Sequence, residues 1–368
     1  MRLTIAQVLP ALESGGVERG TLEIAAEIVR QGHRSIVVSA GGRLVKNLVD
    51  GGSEHINLPV GKKSVSVLLF VNKLARLLAE ENVSILHARS RLPAWICFFA
   101  LKKIHPDLRP KFVTTVHGQY SVNKYSKIML RGDRIIAISD FIKKYVYDNY
   151  PDVDKNKIST IHRGVSIDEF PFGYMPAADW LAGWYLNYPE LKGKYIVTLP
   201  ARLTRLKGHE DFITVLRRGT AAGLPLHGLI VGGANSGKQH YLNHLRNQVA
   251  ETGLEKNVTF VGHRDDLREI MAISNVILSL TQIPEAFGRT VLEALSLGKP
   301  VIAYNHGGVS EIMRILYPAG CVAPFDTAGV VNRLKDFHVH RPPVNNKNPF
   351  TLESMQQKTM SLYRSFYN

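Results

Sequence analysis

Cysteine is scarce in this chain: two residues in 368, Cys97 and Cys321. They stand far apart in apolar surroundings, with no Cys-x-x-Cys pair and no histidine at ligand spacing. That excludes a disulfide framework, indicates no metal site and suits a reducing cytosol. Long hydrophobic runs are lacking too. No stretch approaches the ~20 uninterrupted apolar residues that span a membrane. Met1-Arg2 runs directly into a strand-like segment, so a leader of the usual form is not expected. Negative charge is the third shortage. Asp and Glu number 31 against 46 Lys and Arg, a formal charge of +15. An anionic partner follows, whether nucleic acid, acidic lipid surface or phosphorylated small molecule. Residues 1–180 hold 25 of the basic and 17 of the acidic residues, so the excess is spread and forms no basic tail. The one dense patch is Lys102, Lys103, Arg109, Lys111, Lys124, Lys127, Arg131 and Arg134, against only Asp107 and Asp133.

What is present is a repeated alternation of short apolar runs with amphipathic segments. A chain of this length predicts two domains of about 150–200 residues. Leu3–Leu9 reads as a buried parallel strand, followed by a Gly15-Gly16 loop, a helix over Leu22–Val29 and a strand over Ser35–Ser39. This is the doubly wound α/β order. It continues with helix Val65–Ala79, strand Val83–His87, helix Pro93–Ile104, strands Lys111–Val116 and Arg134–Ala137, helix Asp140–Asn149 and strand Ile158–Ile161. Between about Phe170 and Lys194 the pattern breaks into Pro, Gly and aromatic residues and reads as a domain connection. A second alternation starts at Tyr195–Leu199. The expected division is residues 1–175 and 190–350, with a last helix near 351–368. Two such domains facing a cleft would bind ligands at the carboxyl ends of their strands.

The segment Pro284-Glu285-Ala286-Phe287-Gly288-Arg289-Thr290-Val291-Leu292-Glu293-Ala294 carries the strongest chemical signal. A helix beginning near Gly288–Thr290 offers unpaired N–H groups and a positive dipole end, suited to a phosphate. Glu285 precedes that anion site and Glu293 lies about one turn beyond it. A phosphate flanked by two carboxylates suggests a sugar nucleotide; a capped helix with solvated acids is the plain alternative. Arg202 and Lys207-Gly208 follow the strand Tyr195–Leu199 as a fixed and a mobile cation, a sensible diphosphate clamp. Gly15-Gly16 lets backbone approach a ligand before a helix start, and His117-Gly118 ends a strand where a cleft is expected. Gly307-Gly308-Val309-Ser310-Glu311 opens another helix, either as a second loop at the site or as a structural turn. Gly232 to Gln239 has the Gly-x4-Gly-Lys spacing of a P-loop, but Gln239 replaces the hydroxyl that holds Mg²⁺, which argues against an NTPase.

In their order and separation these motifs resemble the GT-B glycosyltransferases of family 4, retaining enzymes that use nucleotide-sugar donors. The resemblance covers nearly the whole chain. It runs from Gly-Gly-Val-Glu-Arg19 through His117-Gly118, Ile138-Ser139-Asp140-Phe141 and Ile161 to Asp168. It continues with Ala201-Arg202-Leu203, Lys207-Gly208, Val261-Gly262, the Glu285–Glu293 unit and Gly307 to Glu311. It implies that Gly15 and Gly16 approach the donor phosphates, and that Arg202, Lys207 and the amides of Phe287, Gly288 and Arg289 neutralise the diphosphate. Glu285 would hold the transferred sugar, Glu293 the ribose, residues Gly262 to Arg264 the base, and His117 the donor sugar near its reacting carbon. Stabilising the leaving group with Arg, Lys and amides implies a reaction that needs no metal and no cofactor, without an acidic metal-binding cluster. Two departures stand out: Arg163-Gly164-Val165-Ser166 where the family has Asn-Gly-Val-Asp, and Ala201-Arg202 where it has Gly-Arg.

The first ~40 residues are similar to enzymes of lipopolysaccharide core assembly, including core mannosyltransferases. With helix Val65–Ala79, its Lys62, Lys63, Lys73 and Arg76, and the basic 102–134 segment, this implies a cytoplasmic hexosyltransferase. It would work at an anionic inner-membrane face on a glycolipid or oligosaccharide acceptor; a buried helix beside a solvated basic face is the alternative. Two other functions fit less of the sequence. A sugar-nucleotide epimerase of the same fold is opposed by the paired glutamates. A basic nucleic-acid-binding protein is opposed by dispersed charge and the absence of any recognised binding motif.

Overall fold

A computed structural model of the chain describes residues 1–13, 15–61, 67–233 and 239–367. It separates into two compact units, Met1–Gly164 with Leu352–Asn368, and Val165–Thr351.

The first unit is a seven-stranded sheet, β1 (Thr4–Val8), β2 (Arg34–Ser39), β3 (Glu54–Asn57), β4 (Ile85–Ala88), β5 (Lys111–Val116), β6 (Arg134–Ala137) and β7 (Ile158–Thr160). Their order is β3-β2-β1-β4-β5-β6-β7, and every pairing is parallel. The central strands are buried along their length, which is why they read as unbroken apolar runs rather than alternating ones. One core cluster joins Ile5, Ile85, Val113 and Ile136 of the sheet, with Leu3 just before β1, to Ile24 and Ile28 of helix Gly16–Arg30. Met355, Met360, Leu362 and Tyr363 of the last helix, Leu352–Arg364, complete it. A large apolar side chain buried this way contributes about 1.5–3 kcal/mol. The last helix is also pinned by polar contacts: His87 Nδ1 meets the Tyr363 hydroxyl at 2.6 Å, and its Nε2 meets Thr115 Oγ1 at 2.7 Å.

The second unit is a six-stranded parallel sheet. Its strands are β8 (Tyr195–Pro200), β9 (Leu226–Val231), β10 (Val258–Gly262), β11 (Val276–Ser279), β12 (Val301–Tyr304) and β13 (Cys321–Val322), in the order β10-β9-β8-β11-β12-β13. Each unit is therefore doubly wound, and the strand order reverses beside β1 in the first and between β8 and β11 in the second. Those reversals are where such sheets open a crevice at their carboxyl ends.

The expected domain connection at 170–194, with a first domain reaching residue 175, is not where the chain divides. The boundary falls after Gly164, and the segment belongs to the second unit. Trp180 and Trp184 of helix Ala178–Asn187 and Tyr188 at its C-terminal cap recur at a spacing of four; Trp180 stacks on Trp184 at 5.1 Å between ring centres, and Tyr188 lies tilted against Trp184 at 4.6 Å. Trp184 and Leu191 are buried against Ile196, Leu229, Val231 and Ile270. What reads as a broken pattern is one apolar face made of aromatics. The sequence reading also passes over the short strands β3 and β13 and the helices Val45–Asp50 and Thr327–Val339. The helix after Glu285 begins at Arg289, within the expected Gly288–Thr290.

Candidate functional site

In the second unit the reversal between β8 and β11 opens into a cavity of about 280 Å³. Its walls are the ends of those two strands, the loop after each, Gly232-Gly233, His263-Arg264, Glu285, and Thr290-Val291 of helix Arg289–Ser296. Arg202 and Lys207 both lie on it. The loop that carries them turns back through Gly208, whose φ of 73° is left-handed. A Cβ there would stand 1.9 Å from the Leu280 carbonyl oxygen, so only glycine lets the loop lie against β11. This brings the Lys207 ammonium onto Glu285 Oε1, which also accepts from Thr281 Oγ1 at 2.8 Å. Thr281 is held in turn, because its carbonyl accepts from His306 Nε2 at 2.8 Å. Glu285 is thus a carboxylate oriented by two donors and one supporting histidine, while Arg202 is exposed at the rim.

The loop at Glu285 is fixed from behind by the Gly307-Gly308 turn. Gly308 N–H donates to the Glu285 carbonyl at 2.7 Å, and Cβ atoms on Gly307 and Gly308 would lie 2.5 Å from the Glu285 and Ala286 carbonyl oxygens. The pair is a structural buttress to the site. Helix Arg289–Ser296 starts from Gly288, at φ 97°, without a side-chain cap, and its first turn, where amides lack intrahelical carbonyls, meets the cavity wall at Thr290. Phe287 is buried, edge-on to Phe350. Glu293 does not line the cavity; it is buried one turn along the helix and accepts from Arg289 Nε at 3.1 Å. Gly262 ends β10, and its carbonyl accepts from Gly232 N at 2.8 Å. Arg264 grips Asp266 with two hydrogen bonds of 2.8 and 2.6 Å and lies over Trp184. Residues 234–238, most of the P-loop-like stretch, fall outside the described residues, as do Lys62 and Lys63.

In the first unit Gly15, at φ 138°, leads into helix Gly16–Arg30, which also lacks a side-chain cap. His117 follows β5. Its Nδ1 meets Arg163 Nη2 at 2.9 Å, and the same Nη2 donates to the Gly16 carbonyl at 3.3 Å. Burial, reinforced by the charges of Arg163 and Arg89 and by His87, holds the His117 imidazole well below its ordinary range. It is a neutral ring. The chain's one Asp-x-Asp, Asp152-Val153-Asp154, is exposed surface: Asp154 accepts from Asn156 N, and Asp152 pairs with Lys127 at 3.6 Å.

The structure therefore brings Arg202, Lys207, Arg264 and Glu285 to one cavity in the second unit, with Gly262 and Gly288 at its edges and Glu293 behind. It brings Gly15, Gly16 and His117 into one cluster in the first. Sequence reasoning passes over Thr281 and His306. Both sit just past a strand end, Thr281 after β11 and His306 after β12, which is the signal that marks them. It also leaves Arg163 as an unexplained departure.

Residues 14–169 match the family model for Glycosyltransferase Family 4, and residues 187–338 match that for Glycosyl transferases group 1. The solved structure of a glycosyltransferase from Rickettsia africae is similar at 30% identity and a TM-score of 0.84, covering 100% of this chain and 99% of that one. HepE of Anabaena, solved with UDP and glucose, has the same fold at 19% identity and a TM-score of 0.83, covering 99% and 100%. N-acetyl-alpha-D-glucosaminyl L-malate synthase of Bacillus anthracis is 24% identical over 97% of this chain and 94% of its own.

Proposed function

Since this chain belongs to glycosyltransferase family 4, with the two α/β units of the GT-B fold, it is a glycosyltransferase, and we propose that it moves a hexose-type sugar from a nucleoside-diphosphate donor with retention of configuration. The observation that carries this reading is the Lys207–Glu285 contact at the strand-order reversal, beside an uncapped helix start. A cation and open amides serve a diphosphate, and a carboxylate fixed by Thr281 serves sugar hydroxyls. Charge developing on the leaving diphosphate is the largest demand of the reaction, and Arg202, Lys207 and the first-turn amides of helix Arg289–Ser296 meet it without a metal. In this reading His117 donates to the donor sugar, Gly15 and Gly16 admit phosphate, Gly262 and Arg264 flank the base, and Glu293 binds the ribose once Arg289 yields.

The acceptor in this proposal is a phosphorylated bacterial envelope glycolipid, a lipopolysaccharide core intermediate, met at the cytoplasmic face of the inner membrane. No helix among the described residues is long and apolar enough to cross a membrane. The support is a surface of the first unit where Trp95 stacks on Phe99 at 5.5 Å and Phe99 is 42% exposed. Lys102, Lys124, Lys127 and Arg131 rim an apolar hollow floored by Trp95, Phe98 and Ile128. Aromatic rings ringed by cations suit an anionic interface.

The test is thermal denaturation with UDP, GDP, ADP, CMP and ATP, each with Mg²⁺ and with EDTA. The expected result is stabilisation by one nucleoside diphosphate, unchanged by EDTA. Stabilisation by ATP alone, and only with Mg²⁺, overturns the proposal in favour of a P-loop. A flat response to all five removes its donor.

A further inference from the structure

We propose that Arg163 is a positioning residue that locks His117 into a single tautomer, an imidazole that donates from Nε2 and cannot accept there. The inference extends the transferase reading, since it concerns what His117 offers to a donor sugar, but its chemistry stands on the first unit alone.

The geometry leaves little choice. A guanidinium has five N–H donors and no acceptor. The atom it meets at 2.9 Å, His117 Nδ1, must therefore be the ring's lone pair, and the proton resides on Nε2. Nε2 is out of contact with solvent and has no hydrogen-bond partner among the described residues, so it is a donor held without an acceptor. Such a group is destabilising in a folded protein unless something is bound to it. Arg163 is itself 7% exposed and is held at several points: the Gly16 carbonyl at 3.3 Å, the Met355 sulfur at 3.8 Å, and the bare face of Gly20. A Cβ on Gly20 would stand 2.1 Å from Nη1, so the helix is stripped of a side chain where the guanidinium lies.

The groups around the ring reinforce the assignment. Arg163 and Arg89 are cations, His87 is buried with both nitrogens occupied, and the hydroxyl of Tyr120 accepts from the His117 backbone N–H at 3.2 Å. No carboxylate is among these contacts, and none of them favours the charged form of the imidazole. A ring of this kind supplies a fixed, neutral donor to a hydroxyl or phosphoryl oxygen. It is not a base. The departure at Arg163 from the family's asparagine is thereby explained: the long side chain reaches a ring 46 positions away in sequence and sets its polarity.

The experiment is nitrogen NMR of the histidine-labelled full chain, with the His117 signals identified by their loss in His117→Gln. In the wild type we expect an unprotonated Nδ1 and a protonated Nε2 with no titration between about pH 5.5 and 8. Arg163→Met should mix the tautomers and bring the ring back toward ordinary titration. Gly20→Ala, which keeps the arginine but displaces it, should move the spectrum the same way and carries the test if Arg163→Met does not fold. In donor hydrolysis both variants should lose about tenfold in kcat, the weight of one well-placed hydrogen bond, with donor KM changed less than twofold. A wild-type His117 that is protonated on Nδ1, or that titrates normally, overturns the proposal, as does an unaltered spectrum in both variants. A changed spectrum with unaltered kcat upholds the lock and refutes instead the assignment of His117 to the donor sugar.

Discussion

Replacing Lys207 by Met separates the site's chemistry from its stability. The ammonium contacts Glu285 Oε1, and the two side chains are 26% and 24% exposed, so solvent screens the pair on one side. An ion pair this accessible contributes about 1 kcal/mol or less to folding. In a chain with units of this size, that shifts the melting temperature by about 2–4 °C. Glu285 keeps its second donor, Thr281 Oγ1 at 2.8 Å, and the Gly308 N–H still holds its backbone, so the carboxylate stays in place. Catalysis should respond on another scale. One preorganised group aimed at developing charge is worth about 10²–10³ in kcat, or ~2.7–4 kcal/mol. We therefore expect Lys207→Met to fold and melt within a few degrees of wild type, and to release nucleoside diphosphate from its donor about 10²–10³ more slowly. Donor hydrolysis needs no knowledge of the acceptor, and steady-state rates at saturating donor give kcat directly. A folded variant with kcat within threefold of wild type would refute the reasoning. So would a large rise in donor KM at constant kcat, because that pattern marks binding shared equally by ground and transition states.

Tyr363→Phe should destabilise the first unit by about 1–3 kcal/mol in urea unfolding, because it strips the partner from buried His87 Nδ1; no loss would mean that the contact adds nothing to docking of the last helix. Burial beneath the Ala201–Gly208 loop lowers the His209 pKa to about 4, from an ordinary 6.5. A base depressed by folding binds protons more readily when unfolded, so its contribution is present above about pH 6.5 and is lost as pH falls toward 4. The loss reaches on the order of 3 kcal/mol. His209→Leu should flatten that part of the pH–stability curve, and an equally steep curve in the variant would show that other groups produce it.

The sheet strands were legible because a doubly covered parallel strand has to be apolar along its whole length. Lys111–Val116 and Arg134–Ala137 stand at the expected residues. Four-residue β3, with exposed Glu54 and Asn57, and two-residue β13 carry too few apolar positions to register. Helix Ala178–Asn187 escaped for the opposite reason: its core face is built from Trp180, Trp184 and Tyr188, residues that also crowd loops. In the candidate site, loops after strands reveal themselves by residue type, which is how Arg202, Lys207 and Glu285 stand out. What a sequence cannot display is the contact order among them. Nothing in the chain announces that Gly307 and Gly308 press on Glu285, that Glu293 is buried with Arg289, or that Arg163 reaches His117.

The first unit's core is closed by a helix that the ribosome makes only after the whole second unit. Leu3, Ile5, Ile85, Val113 and Ile136 present a greasy furrow that Met355, Met360 and Tyr363 fill, yet all of Val165–Thr351 is synthesised in between. At ~5–20 residues per second that interval is on the order of ten to forty seconds. Throughout it the nascent first unit holds an open hydrophobic seam while the second unit is emerging and folding. Assembly of this protein is thus not strictly vectorial: its beginning matures after its middle, and a growing chain of this design needs either a chaperone at the seam or a sheet stable enough to wait.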